Sequence, residues 1–176
     1  MNFSEEKATA VATFFLEKAG GELEDLKLMK LMYLAEREAI RVRNVGITGD
    51  AFFSMKNGPI LSKTLDRMTP RDQVDVACVW REHIRLPDGW NLRISEPFEP
   101  SRVLSKREIA IVETIWKEFG EWTKWQLVDH THDFFEWSDP GDTSKPIAFQ
   151  DILKGLGFEG EELDSRYAEF QRSRVA

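Results

Sequence analysis

The stretch Asp25-Leu26-Lys27-Leu28-Met29-Lys30-Leu31-Met32-Tyr33-Leu34-Ala35 opens a segment that runs on to Arg43 and decides the fold. Its apolar residues Leu26, Leu28, Met29, Leu31, Met32, Tyr33, Leu34 and Ala35 wrap almost all round a helix rather than lying along one stripe. A helix with so little polar face has to be enclosed by others, so it is expected at the centre of the molecule.

The flanking segments supply those neighbours. Before it, Ser4 is an N-cap, Glu5 and Glu6 suit a helix N-terminus, and Ala8, Val11, Ala12, Phe15, Leu16 and Ala19 recur at three and four until Gly20-Gly21. After it, Gly46, Gly49 and Gly58 bracket the short apolar run Ala51-Phe52-Phe53, read as a loop with a brief extended piece. Pro59 reads as the first residue of a short helix over Ile60 to Arg67, and Thr69-Pro70 as a further turn. From Val76 to about residue 96 the pattern becomes strand-like: Val76 to Trp80 and His83 to Leu86, then the turn residues Pro87-Asp88-Gly89, then Trp90 to Ile94 alternating with period two. One small β-hairpin is expected there, lying on the helices.

Ser105-Lys106-Arg107-Glu108 is a capping box before Ile109, Ile111, Val112, Ile115, Trp116 and Phe119. Thr123 caps a shorter helix from Lys124 to about Thr131. A polar loop, Ser138 to Pro146, separates it from Phe149 to Leu156, and a charged helix begins near Glu161. The expectation is a mainly α fold, a single compact helical domain over residues 1–176 with one β-hairpin.

Charge narrows the function classes. The 176 residues hold 31 Asp and Glu against 24 Lys and Arg, a net charge of -7. That argues against a phosphate-backbone binder, which needs clustered cations. With 41% hydrophobic residues and six Trp, a core is assured. The lone Cys78 excludes an internal disulfide framework and a Cys-pair zinc site, and fits a reducing compartment. Ala8 to Leu16 is too short for a membrane span and follows acids, so the chain reads as soluble and cytoplasmic, with its own N-terminus. The acidity is local. Glu118 to Glu169 holds 13 acids and four bases, while the remainder holds 18 acids and 20 bases. Such a skew fits a solvated face, and equally a docking surface for a basic partner.

No catalytic motif emerges. Asp129-His130-Thr131-His132-Asp133 places Asp129, His132 and Asp133 on one helical face, oxygen and nitrogen donors at a spacing that matches no specific metal motif. The plainer reading has these side chains bonding backbone groups at a helix end, anchoring Phe134 to Trp137. Cys78 sits in an apolar run with no base nearby, which favours a buried, inert thiol. Trp116, Trp122, Trp125 and Trp137 lie inside or beside the acidic third, as core or as contact residues.

Three motifs stand in order: Leu28 to Ala35 leading to Met55-Lys56-Asn57-Gly58-Pro59-Ile60-Leu61-Ser62; Leu104-Ser105-Lys106-Arg107-Glu108; and Trp125-Gln126-Leu127-Val128-Asp129-His130-Thr131-His132 followed by Glu136-Trp137. Together they resemble the Panacea domain, the SocA-like antitoxin family, most strongly over about residues 5–157, with 158–176 as a C-terminal helix. Asn57 departs from the pattern, standing where an aromatic often precedes Gly-Pro. The resemblance implies an antitoxin that neutralises a cognate toxin by direct protein contact, with no catalysis and no cofactor. Some members of this type act as adaptors delivering a toxin to a protease, and the alternative is a prophage or mobile-element regulatory or adaptor protein that delivers a partner to a protease. A small metal-dependent enzyme on Asp129, His132 and Asp133 is the second alternative. Many relatives carry an added DNA-binding segment, for which this sequence leaves no room, so neither nucleic acid nor membrane is an expected partner. The partner expected is a toxin with a basic surface. Its candidate contacts are Met55, Lys56, Asn57, Glu121, Trp122, Glu136, Trp137, Asp139 and Asp142. Gly58, Pro59, Ser105, Glu108, Asp129, Thr131 and His132 are read as structural motif residues.

Overall fold

The enclosed helix is α2, Asp25–Arg43, and in the computed structural model, which describes residues 2–69, 78–85 and 89–175, it runs through the centre. Leu28, Leu31, Met32, Tyr33, Ala35, Ala39 and Ile40 are wholly buried on it. Each large apolar side chain so enclosed contributes about 1.5–3 kcal/mol. The helix ends where Asn44 takes the left-handed conformation, φ 61°.

Around α2 pack α1 (Glu5–Lys18), α5 (Lys106–Phe119) and α6 (Lys124–His132). Each starts on a local signal: Ser4 accepts from the Lys7 amide, Ser105 and Glu108 form a reciprocal capping box, and so do Thr123 and Gln126. The mainly α expectation holds.

Glu108 does more than cap. Its buried carboxylate also takes Lys7 Nζ and Arg43 Nη1, each at 2.8 Å, tying α5 to α1 and α2. Burial alone would raise this carboxyl; hydrogen bonds from Lys7, the Ser105 amide and Arg43 outweigh it and hold the group at about 2.

The β structure differs from expectation in three respects. First, Val79 and Trp80 belong not to a strand but to α4 (Val79–His83), with Cys78 just before it. Second, the paired strands are β4 (Ile84–Arg85) and β5 (Asn91–Ile94), in register Ile84↔Ile94, and a third strand, β1 (Glu22–Glu24), lines the other edge of β5. The expected strand residues Val76 and Ala77 and most of the turn lie outside the described residues. Third, there is a second three-stranded sheet. Strands β2 (Phe52–Met55) and β3 (Gly58–Leu61) form a hairpin, and β6 (Lys145–Pro146) adds to β2.

Pro59 therefore sits in a strand, paired with Ser54, and does not start a helix. It is tolerated because β3 is an edge strand, where a missing N–H costs no ladder bond. The short helix begins later, as α3 (Ser62–Met68). Its N-terminus is capped from a distance. The buried Asp50 carboxylate accepts from the Lys63 and Thr64 amides and the Thr64 hydroxyl, each at 2.8 Å.

The last two helices, α7 (Phe149–Gly155) and α8 (Gly160–Val175), gather a separate apolar cluster of Ile40, Ile147, Ile152 and Leu153 over the end of α2. Phe149 and Phe170 stack there at 3.6 Å.

Candidate functional site

The motif residues scattered along the sequence converge on the β2–β3 hairpin. Lys30 of α2 is wholly buried and donates to the Pro59 carbonyl at 2.7 Å. Burial lowers its amine to about 7. Gly58 closes the hairpin at φ +99°, and a Cβ there would lie 2.7 Å from Thr131 Oγ1 and 2.9 Å from Lys30 Nζ. Glycine is thus required twice, by its conformation and by the approach of α2 and α6 beneath it.

The same hairpin is clamped from the segment after α6. Trp137 donates its indole N–H to the Met55 carbonyl at 2.9 Å and stacks on His132 at 3.9 Å. The expected hydrogen-bonded anchor at this helix end is mainly a stacked one. Thr131 donates back to Val128 within its own helix, and Asp129 is exposed. No group of three His, Cys, Asp or Glu side chains among the described residues is placed to hold a metal, and Asp129, His132 and Asp133 form no such group.

Glu136 belongs to the interior. Its carboxylate is shielded, accepting from Arg37 Nε at 2.6 Å and the Tyr33 hydroxyl at 3.0 Å. Arg37 in turn donates to the Gly155 carbonyl at 2.7 Å and lies 4.0 Å over the Phe134 ring. The expectation that Glu136 meets a partner is corrected by this burial: the side chain joins α2 to the α6 and α7 segments. Trp122 is half-buried, packed edge-on to Phe119 and His130. Lys56, Asn57, Glu121, Asp139 and Asp142 are exposed. Lys56 and Asp142 face each other at 3.8 Å, a pair in open solvent that contributes little.

In front of the hairpin lies an open groove of about 620 Å³, bounded by the start of α2, the β2–β3 turn, α3, the start of β5 and the start of α6. Met29, Ile60, Leu65, Met68 and Leu92 line it with Met55, and Lys56 and Asn57 stand at its rim. Trp90 and Trp125 flank it, 77% and 55% exposed. Trp125 is one of the four tryptophans expected as core or as contact, and its exposure favours the contact reading; Trp90 is not among them. The signal for Trp90 was its place directly after a turn glycine, where no helix or strand face encloses it. Lys124 lies 5.7 Å over the Trp125 ring and also pairs with Glu24.

None of the described helices is long and apolar enough to cross a membrane. Comparison with curated proteins and with solved structures finds no match for this chain. A family model does match, Antitoxin SocA-like, Panacea domain, over residues 28–138. That span contains α2 from Leu28 onward, both hairpins, α5, α6 and Trp137, which build most of the groove and hold its turn. With more than half of its length inside that match, the chain belongs to the SocA-like antitoxin family, as a Panacea-domain protein.

Proposed function

We propose that this chain is the antitoxin of a toxin–antitoxin pair and neutralises a cognate toxin by direct protein contact. Family membership supports an antitoxin role with a protein partner. The observation that carries the finer reading is the pair of exposed tryptophans beside an open apolar groove, next to the exposed Lys56-Asn57 turn. Large apolar side chains left in water at a concave surface favour a macromolecular partner.

Charge supports a basic partner. Of the 13 acids between Glu118 and Glu169, 11 are exposed, Asp151 is half-buried and Glu136 is internal. The local excess therefore faces solvent, where complementary charge speeds association and rejects wrong partners.

The test is co-expression with the product of the adjacent open reading frame. That product alone should arrest growth, growth should return with this chain present, and the two proteins should co-elute. Rescue without co-elution overturns direct contact. Changing Glu121, Asp139 and Asp142 together to Ser should weaken the complex; unchanged affinity and rescue remove the acidic surface from the contact.

A further inference from the structure

The groove and its α6 flank together define what kind of segment fits. Three of the five methionines, Met29, Met55 and Met68, line the groove beside aliphatic residues, and flexible thioethers adapt to varied apolar side chains. Among the described residues four large apolar side chains are exposed, and two of them, Trp90 and Trp125, stand at this groove. On α6, Asp129 follows Trp125 by four residues, and Asp133, the residue that caps the helix C-terminus, follows it by eight; all three are exposed. That spacing sets the Cβ atoms of Trp125 and Asp129 about 5–6 Å apart.

At the α6 end of the groove the cation Lys124 is engaged by Glu24 and the Trp125 ring, and Lys30 beneath the hairpin by the Pro59 carbonyl, while Lys56 stands in open solvent at the turn, facing Asp142. Asp129 and Asp133 have no salt-bridge partner among the described residues. The unanswered charge at the α6 end is negative, beside an exposed indole face. An arginine or lysine satisfies both at once, by ion pairing and by stacking over the ring.

We propose that the groove receives an amphipathic segment of a partner protein, apolar where it lies between Trp90 and Trp125 and carrying an arginine or lysine where it leaves across Trp125 and Asp129. The assignment rests on the partner-binding reading above and specifies its chemistry. An anionic segment meets Asp129 and Asp133 as like charges, and a wholly apolar one leaves both unanswered.

A phage-displayed library of short random peptides, panned against the full chain, supplies the probe. The expected recoveries combine large apolar residues with Arg or Lys. Titration of the best synthetic peptide should weaken about tenfold or more in Trp125→Ala and in Asp129→Lys, with Glu161→Lys on α8 changing it less than about twofold. All three variants should keep the parent melting temperature. No enrichment, enrichment of acidic peptides, or affinity indifferent to Trp125→Ala and Asp129→Lys overturns the assignment. So does a dimer, seen by sedimentation, that Trp125→Ala dissolves, because the groove then holds a second copy of this chain. The two proposals fail separately. If the Trp125 and Asp129 variants still rescue growth, the antitoxin reading stands and the groove is not its contact. If no neighbouring product is neutralised while the peptide pattern holds, the groove assignment stands alone.

Discussion

Two neighbouring regions of this molecule carry opposite kinds of information. Beneath the β2–β3 hairpin, Lys30, Tyr33, Gly58, Thr131 and Glu136 are buried and mutually engaged. In front of the same hairpin, Lys56, Asn57, Trp90 and Trp125 are exposed. Both sets lie in or beside the segments that the family model matches, since Lys56, Asn57 and Trp125 belong to the same motifs as Lys30, Gly58 and Thr131. Within one stretch of chain, therefore, some residues hold the turn in place while their neighbours on its rim and groove are under no such packing constraint.

Substitutions in the two regions should separate folding from recognition. The largest effect is expected from Arg37→Ala, which strands the Glu136 carboxylate in the interior and should cost about 4 kcal/mol. The double variant Arg37→Met, Glu136→Met should recover much of that, because no charge is left buried. A melt showing the single and double variants equally unstable breaks the ion-pair account.

Next comes Gly58→Ala. The positive φ and the crowding against Thr131 and Lys30 should cost about 3 kcal/mol, a fall of roughly 10 °C in melting temperature. A loss below about 1 kcal/mol would mean that the hairpin yields easily, and the contrast between a fixed turn and a free rim would weaken.

Acid tests the clamp formed by Glu108. Its carboxyl lies at about 2 when folded, below its ordinary value near 4.5, so the stability it contributes is present above pH 4.5 and lost as pH falls towards 2. A Glu108→Gln variant should lose about 2 kcal/mol at pH 7 and show a shallower decline between pH 4.5 and 2 than the parent. Parallel decline in the two proteins would place the acid sensitivity elsewhere.

The smallest effect on stability, and the sharpest contrast, belongs to the rim. Trp90→Ala and Trp125→Ala should each change stability by less than about 0.5 kcal/mol, since both side chains are mostly in water already. If either melts several degrees lower, that tryptophan is part of the scaffold and the comparison has to be redrawn.

The helices were legible because their determinants are local. Ser4, Ser105 with Glu108, and Thr123 with Gln126 act within one turn of their own backbone, so reading them needed no partner. The second sheet was not legible for the opposite reason. Strands β2 and β3 have four residues each, too few for a period-two pattern, and β6 pairs from residues 145–146, some ninety positions away. Pro59 misled because the same fixed φ serves a helix start and an edge strand, and only the pairing with Ser54 decides between them.

By itself, then, the sequence determined a mainly α molecule built round an enclosed helix at residues 25–43, its family, and an acidic excess confined to the C-terminal third. Apolar periodicity, caps and composition are properties of the chain taken a few residues at a time. Only the tertiary structure decided that Glu136 is internal while the other acids around it are not, and that Trp125 rather than Trp122 faces water. Burial of a carboxylate depends on whether a cation and a hydroxyl arrive from a distant helix to repay its lost hydration, and Arg37 and Tyr33 lie about a hundred residues away.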